Sequence, residues 1–130
     1  MTSRTAEITL TVDLDANNVA RSIAWQATEA NPQATRCEAL MLSLWDRERR
    51  TTAAIDLWTP EMTIEEMNAF VHQVLHRLAD TYERATKQAA AAQSIHDLAE
   101  AFEAAVNPES SAAAFPPDSR VASCPSEPPR

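Results

Sequence analysis

The chain has 130 residues, of which 45% are hydrophobic, and its formal net charge at pH 7 is -8. This acidic balance argues against nucleic acid or an anionic membrane surface as the partner, because both need clustered Lys and Arg side chains. The sequence contains no glycine, which excludes the Gly-rich phosphate-binding loops of nucleotide-binding proteins.

The sequence predicts a protein of the cytoplasm. No apolar run approaches the roughly 18 residues that a membrane-spanning helix needs, and the first residues lack the apolar core of a secretory signal. Cys37 and Cys124 are too few and too poorly matched for a disulfide framework, so we expect free thiols in a reducing compartment. We therefore expect neither secretion nor membrane insertion.

The first 35 residues predict two strands and a loop. Apolar and polar residues alternate along residues 7–15, which is typical of a half-buried β-strand. The Asp-Ala-Asn-Asn sequence that follows favours a tight turn, since Asn tolerates positive φ. Residues 19–27 are predicted to return as a second strand, with a short helix as the alternative. Residues 28–35 are polar and contain Pro32, so we expect a loop there.

Two further strands are predicted at residues 40–46 and 54–59, on either side of a charged turn. Because side chains alternate between the two faces of a strand, one face collects aliphatic residues: Leu40, Leu42, Leu44, Ile55 and Leu57. We expect this face to pack against helices. The opposite face carries Met41, Trp45 and Trp58, and it is unusually apolar for a surface that faces solvent.

Two helices are predicted after Pro60. Thr63 and Glu66 have the spacing of a capping box, and the acidic first turn suits the positive end of a helix dipole. Apolar residues then recur at spacings of three and four, as in an amphipathic helix: Met67, Phe70, Val71, Val74, Leu75, Leu78 and Tyr82. A second stripe drifts by about one position: Ile95, Leu98, Ala99, Phe102 and Val106. One long bent helix is possible, but we favour two helices that meet near residues 86–88, since a small sheet needs more than one to cover its face.

The last segment has a different composition. Residues 107–130 hold six of the chain's eight prolines together with repeated Ser and Ala, and such a segment buries too little apolar area to offset its ordering entropy. We predict a disordered tail at 107–130 after a single α+β domain at 1–106. The predicted fold is a four-stranded, mainly antiparallel sheet followed by two α-helices packed on one of its faces.

His72 and His76 lie four residues apart, on one face of the first predicted helix. Two imidazoles at this spacing can share a metal ion, as in zinc proteases, but those enzymes carry Glu after the first His, and Gln73 cannot act as a base. A third ligand would have to come from elsewhere, and His96 is the remaining histidine. We therefore predict no metal site and interpret the histidines as partly exposed neighbours of the apolar stripe.

Acidic residues are the second candidate for chemistry. A desolvated pair of carboxylates would suit acid–base catalysis, and four lie on predicted strands or at strand ends: Asp13, Asp15, Asp46 and Asp56. A solvated acidic rim explains them equally well, and no Ser or Cys has the sequence context of a nucleophile. We predict no catalytic residue and no cofactor, and hence a protein that is not an enzyme.

The predicted functional site is the face that carries Met41, Trp45 and Trp58. If helices cover the opposite face, these side chains form an exposed apolar patch, which monomeric proteins rarely tolerate, and aromatic residues and Met are enriched at interface centres. Alternatively, the two indoles wrap over the sheet edge into the core, or the tail covers them. We predict a protein–protein interface and a homodimer.

Several segments carry a family resemblance, and they occur in order and with compatible spacing. They are Asp13-Leu14-Asp15, Asn17-Asn18-Val19, Ile23-Ala24-Trp25-Gln26-Ala27, Leu42-Ser43-Leu44-Trp45-Asp46, Ile55-Asp56-Leu57-Trp58-Thr59, Met62, Glu66-Met67, Phe70 and Leu78-Ala79-Asp80-Thr81. Together they resemble the family of the gliding motility protein GldC, over about residues 6–106. The resemblance implies a small cytoplasmic protein with an accessory role in gliding motility, which acts through protein contacts and has no assigned catalytic residues.

We therefore predict a non-enzymatic, GldC-like accessory or adaptor protein whose protein partner the sequence does not identify. The alternative is an acidic secretion-chaperone-like protein, since that class shares the small size, the acidity, the α+β core and dimerisation, and binds an unfolded client segment along apolar grooves. A metal-dependent enzyme that uses His72 and His76 is a third hypothesis.

Overall fold

The structure of the protein is a computed structural model that describes residues 3–107. Two compact units make up this part of the chain: one ends at Met62 and the other begins at Thr63. The first contains five strands in two antiparallel sheets, and the second contains two helices. The α+β class is therefore confirmed. Beyond Asn107, the predicted disordered tail lies outside the described residues.

The first sheet has three antiparallel strands in the order β1 (Ile8–Leu14), β2 (Ala20–Ala27) and β3 (Asn31–Cys37). The two strands predicted at residues 7–15 and 19–27 are confirmed, and the short-helix alternative for the second is wrong. The alternating pattern succeeded here because β1 pairs with β2 over its whole length, with one irregularity at its last residue.

Asp15 shapes the turn between β1 and β2. Its Oδ1 accepts hydrogen bonds from the backbone amides of Asn17, at 2.7 Å, and Val19, at 3.1 Å. These two bonds lower the pKa of the Asp15 carboxyl, helped by Arg21, whose Nε donates to Oδ2 at 2.9 Å. Asn18 takes the left-handed conformation, with φ of 66°, as its tolerance of positive φ predicted.

The loop predicted at residues 28–35 is wrong over most of its length, because β3 begins at Asn31. Within residues 3–107, β3 lies at the edge of the sheet and pairs only with β2. Pro32 is compatible with this strand because a missing N–H is tolerated at an edge. The register is irregular around it: Ala27 pairs with Asn31 and Trp25 with Thr35. An exposed, polar edge strand lacks the alternation by which strands are recognised in a sequence.

The four-stranded sheet is also wrong, because β4 (Ala39–Asp46) and β5 (Thr51–Trp58) form a two-stranded sheet of their own. The physical reason lies in the connection before β4. A single residue, Glu38, separates the end of β3 from the start of β4, and an antiparallel hairpin needs at least about two residues to reverse the chain. The chain therefore leaves the first sheet and starts a second one.

Glu38 also fixes the end of β5. The backbone amide of Thr59 donates to the Glu38 carbonyl at 2.9 Å, and the Thr59 hydroxyl donates to Glu38 Oε1 at 2.6 Å. Arg36 Nε donates to the other carboxylate oxygen at 2.6 Å. The hydrogen bonds from Arg36 and Thr59 lower the pKa of the Glu38 carboxyl. Glu38, the residue that connects the two sheets, is thus hydrogen-bonded to Thr59, which directly precedes Pro60.

The second unit consists of α1 (Ile64–Thr86) and α2 (Ala89–Val106). The predicted capping box is present: the Thr63 hydroxyl accepts from the Glu66 amide at 3.0 Å, and Glu66 Oε1 accepts from the Thr63 amide at 3.1 Å. Lys87 ends α1 in the left-handed conformation, with φ of 64°. The prediction of two helices, with a break near residues 86–88, is therefore confirmed.

The two helices run antiparallel, since residues before the turn contact residues at a similar distance after it: His76 lies against His96, and His72 against Glu100. Three fully buried alanines belong to this helix pair: Ala79, Ala92 and Ala99. Small side chains let helix axes approach closely.

Buried apolar side chains are few in the strand-containing unit: Val19, Ala20, Ile23, Leu57 and Met62. Several large apolar residues of β1 and the β4–β5 hairpin remain exposed. Neither helix within residues 3–107 is both long and apolar enough to cross a membrane. The packing of the helices on one sheet face stays a prediction.

Candidate functional site

The β4–β5 hairpin places the three predicted interface residues on one face. Met41 pairs with Asp56, Trp45 with Thr52 and Trp58 with Ala39, and residues that pair directly across antiparallel strands point to the same side. We call Met41, Trp45 and Trp58 the hairpin surface. Leu40 pairs with Leu57 and Leu42 with Ile55, so the predicted division of the hairpin into two faces is confirmed.

Exposure differs along the hairpin surface. Trp45 is 59% exposed and Met41 46% exposed, whereas Trp58, at the opposite end of the hairpin, is half-buried. The expectation of an exposed indole therefore holds for Trp45. Leu44, on the other face, is 56% exposed, so the tip of the hairpin presents apolar side chains on both sides.

The turn at the tip is cationic and well ordered by hydrogen bonds. Asp46 Oδ1 accepts from the backbone amides of Glu48, at 3.0 Å, and Arg49, at 3.1 Å. Arg50 has φ of 55° and holds its guanidinium carbon 5.8 Å from the centroid of the Trp45 ring, within the range of a cation–π contact. Arg50 thus orients the exposed indole.

A second cluster of functional groups lies between α1 and α2. His72 and His76 are one helical turn apart on α1, and α2 brings three side chains to them: His96, Glu100 and Glu103. His76 Nε2 lies 2.8 Å from Glu100 Oε2, and His72 Nε2 lies 3.2 Å from the same oxygen. We call these five residues the histidine–glutamate cluster.

Three further contacts involve the histidine–glutamate cluster. His72 Nε2 is 3.3 Å from Glu103 Oε1. On the other side, His76 Nδ1 is 2.6 Å from His96 Nδ1, and His96 Nε2 is 3.3 Å from Asp80 Oδ1. All three imidazoles are half-buried, and the hydrogen bonds from His76 and then His72 lower the pKa of the Glu100 carboxyl.

The family model for GldC-like proteins, described as "Gliding motility-associated protein GldC-like", matches residues 20–108. That match covers more than half of the 130-residue chain. The chain belongs to the GldC-like family. Neither the curated proteins nor the solved structures gave a significant match.

The GldC-like match extends from β2 to the end of α2. It includes the hairpin surface and the whole histidine–glutamate cluster, and it begins after β1 (Ile8–Leu14). Both candidate sites therefore lie in the part of the chain that makes it a GldC-like protein.

Two of the four carboxylates singled out in the sequence have structural roles in this GldC-like fold. Asp15 and Asp46 each accept two backbone amides in a turn. Asp13 pairs with Ser22 in the first sheet, and Asp56 pairs with Met41 in the second. Turn formation explains Asp15 and Asp46 without any role in acid–base chemistry.

Sequence reasoning missed Glu100 and Glu103 as neighbours of the histidines. A usable signal existed: His96, Glu100 and Glu103 recur at spacings of four and three on α2, so they share a helix face. Residues at similar distances from the turn at Lys87 lie close together in an antiparallel helix pair, and His76 is 11 residues before Lys87 and Glu100 is 13 after it. The prediction considered His96 alone as a third ligand and overlooked these glutamates.

Proposed function

We propose that this GldC-like chain is a non-enzymatic accessory or adaptor protein, associated with gliding motility, that forms a homodimer through its hairpin surface. The observation that carries the proposal is the exposure of Trp45 and Met41 on this surface, each more than two-fifths exposed. A cytoplasmic location is part of the proposal and rests on the family resemblance and on the cysteine content of the sequence.

Burying the exposed apolar side chains of the hairpin tip would contribute substantially to the free energy of association. Covering the exposed part of one indole such as Trp45 is worth about 2–4 kcal/mol at ~25 cal/mol per Å². A two-fold dimer uses the same patch twice, so the gain doubles before the cost of association is subtracted. Trp and Arg are the residues most enriched in interface hot spots, and Trp45 and Arg50 form such a pair.

The chaperone-like alternative is supported by β1. This strand lies at an edge of the first sheet, and its apolar residues Ile8, Leu10 and Leu14 are exposed, with Ile8 at 74%. An exposed edge strand can accept an extended peptide as an additional strand. A client segment would bind there, away from the hairpin surface.

Sedimentation-velocity measurements on three proteins separate the two surfaces. We expect the wild type to sediment as a dimer and Trp45→Asp to sediment as a monomer, because a carboxylate at the interface centre would be buried unpaired. Ile8→Asp is the matched control, since it places the same charge on the other exposed apolar strand and is expected to remain dimeric. Circular dichroism checks that each variant is folded.

The outcomes are distinct. A wild type that stays monomeric at high concentration contradicts the homodimer. Dissociation by Ile8→Asp with a dimeric Trp45→Asp moves the interface to β1. For the adaptor role, affinity purification from the native host followed by mass spectrometry should identify a protein that Trp45→Asp no longer retains, and retention by Trp45→Asp but not by Ile8→Asp would favour client binding at β1.

A further inference from the structure

We propose that His72, His76 and Glu100 form a binding site for one first-row divalent transition-metal ion, with Zn²⁺ as the best match. Glu103 is the proposed fourth ligand. This proposal reverses the prediction of no metal site made from the sequence, because the structure supplies the ligands that the α1 sequence lacks. It is independent of the hairpin surface and of the homodimer.

Two of the three pairs of ligand atoms are close to the spacing that a metal ion requires. A tetrahedral ion with bonds of about 2.0–2.1 Å to nitrogen and oxygen holds its ligand atoms about 3.3 Å from one another. The His72 Nε2–Glu100 Oε2 and His76 Nε2–Glu100 Oε2 distances are 3.2 and 2.8 Å. One ligand atom each from His72, His76 and Glu100 lie within 4.8 Å of one another.

The fourth ligand follows from the helix spacing. His72 Nε2 is 3.3 Å from Glu103 Oε1, the distance expected between two ligand atoms of one tetrahedral ion. His72 and His76 are four residues apart on α1, and Glu100 and Glu103 are three apart on α2, so each helix presents its pair on one face. Two imidazoles and carboxylate oxygens are a common ligand set for Zn²⁺.

The two ring nitrogens of His76 face different partners. Nε2 lies 2.8 Å from Glu100 Oε2, and Nδ1 lies 2.6 Å from His96 Nδ1. His96 Nε2 is in turn 3.3 Å from Asp80 Oδ1.

With an ion on Nε2, Nδ1 of His76 would face His96, which contacts Asp80 through its other ring nitrogen. Metal-bound histidines usually donate their other ring N–H to a fixed acceptor in this way. His96 and Asp80 are therefore positioning residues for His76.

The site is also accessible. A groove of about 210 Å³ runs between the first half of α1 and the end of α2, and its lining includes His72, Gln73 and Glu103. The groove thus reaches two of the proposed ligands, His72 and Glu103. Gln73, in place of the glutamate that follows the first histidine in zinc proteases, supplies no general base, so the site suits a metal that holds the two helices together.

Cobalt titration of the full chain, made without a histidine tag, tests the proposal. Cys37 is a half-buried free thiol, so Cys37→Ser with Cys124→Ser removes competing thiolates. We expect one Co²⁺ per chain, with the visible bands of four-coordinate cobalt, and displacement by one Zn²⁺. His76→Ala or Glu100→Gln should weaken binding by more than about 100-fold, and His96→Phe by about 10–100-fold.

Asp97→Asn is the control, because Asp97 lies on α2 and bonds only Gln93 among the described side chains; its affinity should equal that of the parent. Ring nitrogen NMR of the unsubstituted site keeps the test valid if a histidine variant does not fold. Zn²⁺ should shift the Nε2 resonances of His72 and His76. Absence of saturable binding, binding that His76→Ala leaves intact, or shifts confined to His96 would overturn the proposal.

Discussion

The Glu38 carboxylate accepts a hydrogen bond of 2.6 Å from the Thr59 hydroxyl, beside the single-residue connection between the two sheets of the strand-containing unit. Thr59 is fully buried, and Arg36 neutralises the carboxylate from its other side. Because the connection before β4 is a single residue, this contact fixes where the second sheet starts and where β5 ends.

Lowering the pH should reduce the free energy of unfolding, partly through protonation of Glu38. Its hydrogen bonds with Arg36 and Thr59 lower its pKa in the folded state below the ordinary value of 4.5. The folded state therefore binds fewer protons than the unfolded state, so this contribution to the free energy of unfolding is complete above about pH 5 and is lost as pH falls through the folded-state pKa.

Urea denaturation at pH 7 and at pH 3 checks this expectation. Glu38→Gln should be less stable than the wild type at pH 7 and lose less stability on acidification. Asp15 and Glu100 also have lowered pKa values, so some pH dependence remains. Glu48→Gln removes a carboxylate from the hairpin turn as a control; an equal change in both variants would contradict the role of Glu38.

Loss of the α1 cap should destabilise the helical unit. Thr63→Ala removes the hydroxyl that accepts from the Glu66 amide, which costs about 1 kcal/mol of the free energy of unfolding. Thr81→Ala makes the same chemical change at an exposed position inside α1, where alanine has the higher helix propensity. Thermal unfolding followed by circular dichroism should show a lower Tm for Thr63→Ala and no loss for Thr81→Ala.

Glycine at position 87 should stabilise the protein, although the natural chain contains none. Lys87 holds φ of 64° at the end of α1, a conformation that costs a residue with a Cβ about 1–2 kcal/mol. Lys87→Gly removes this cost, but glycine also raises the entropy of the unfolded chain and so cancels part of the gain. We expect a net increase of about 0.5–1 kcal/mol in the free energy of unfolding. Arg84→Gly, inside the last turn of α1, should instead lower stability. A lower Tm for both would contradict the left-handed cap.

The close approach of α1 and α2 predicts intolerance of larger side chains. Ala99 has no exposed surface, so Ala99→Leu should force the helices apart and cost about 1–3 kcal/mol. Ala101 is exposed on the same helix, and Ala101→Leu should be nearly neutral. Equal unfolding midpoints for the two variants would show that the helices do not meet at Ala99.

Local signals in the sequence determined most of the secondary structure. The alternation in β1, β2, β4 and β5, the turn chemistry of Asp15, and the capping box of Thr63 each depend on residues within a few positions of one another, and each is confirmed. The faces of the β4–β5 hairpin also followed from the sequence, because a two-residue side-chain period fixes them once the strand is placed.

Tertiary structure alone decided the rest. The division into two sheets depends on Glu38 being too short a connection for a hairpin, which becomes apparent only when β3 is known to be a strand despite Pro32. The histidine–glutamate cluster joins His72 and Glu100, which are 28 residues apart. Periodicity shows which face of each helix is apolar, but the rotation and level at which α2 meets α1 are set by the packing of whole helices, and that packing brought the ligands together.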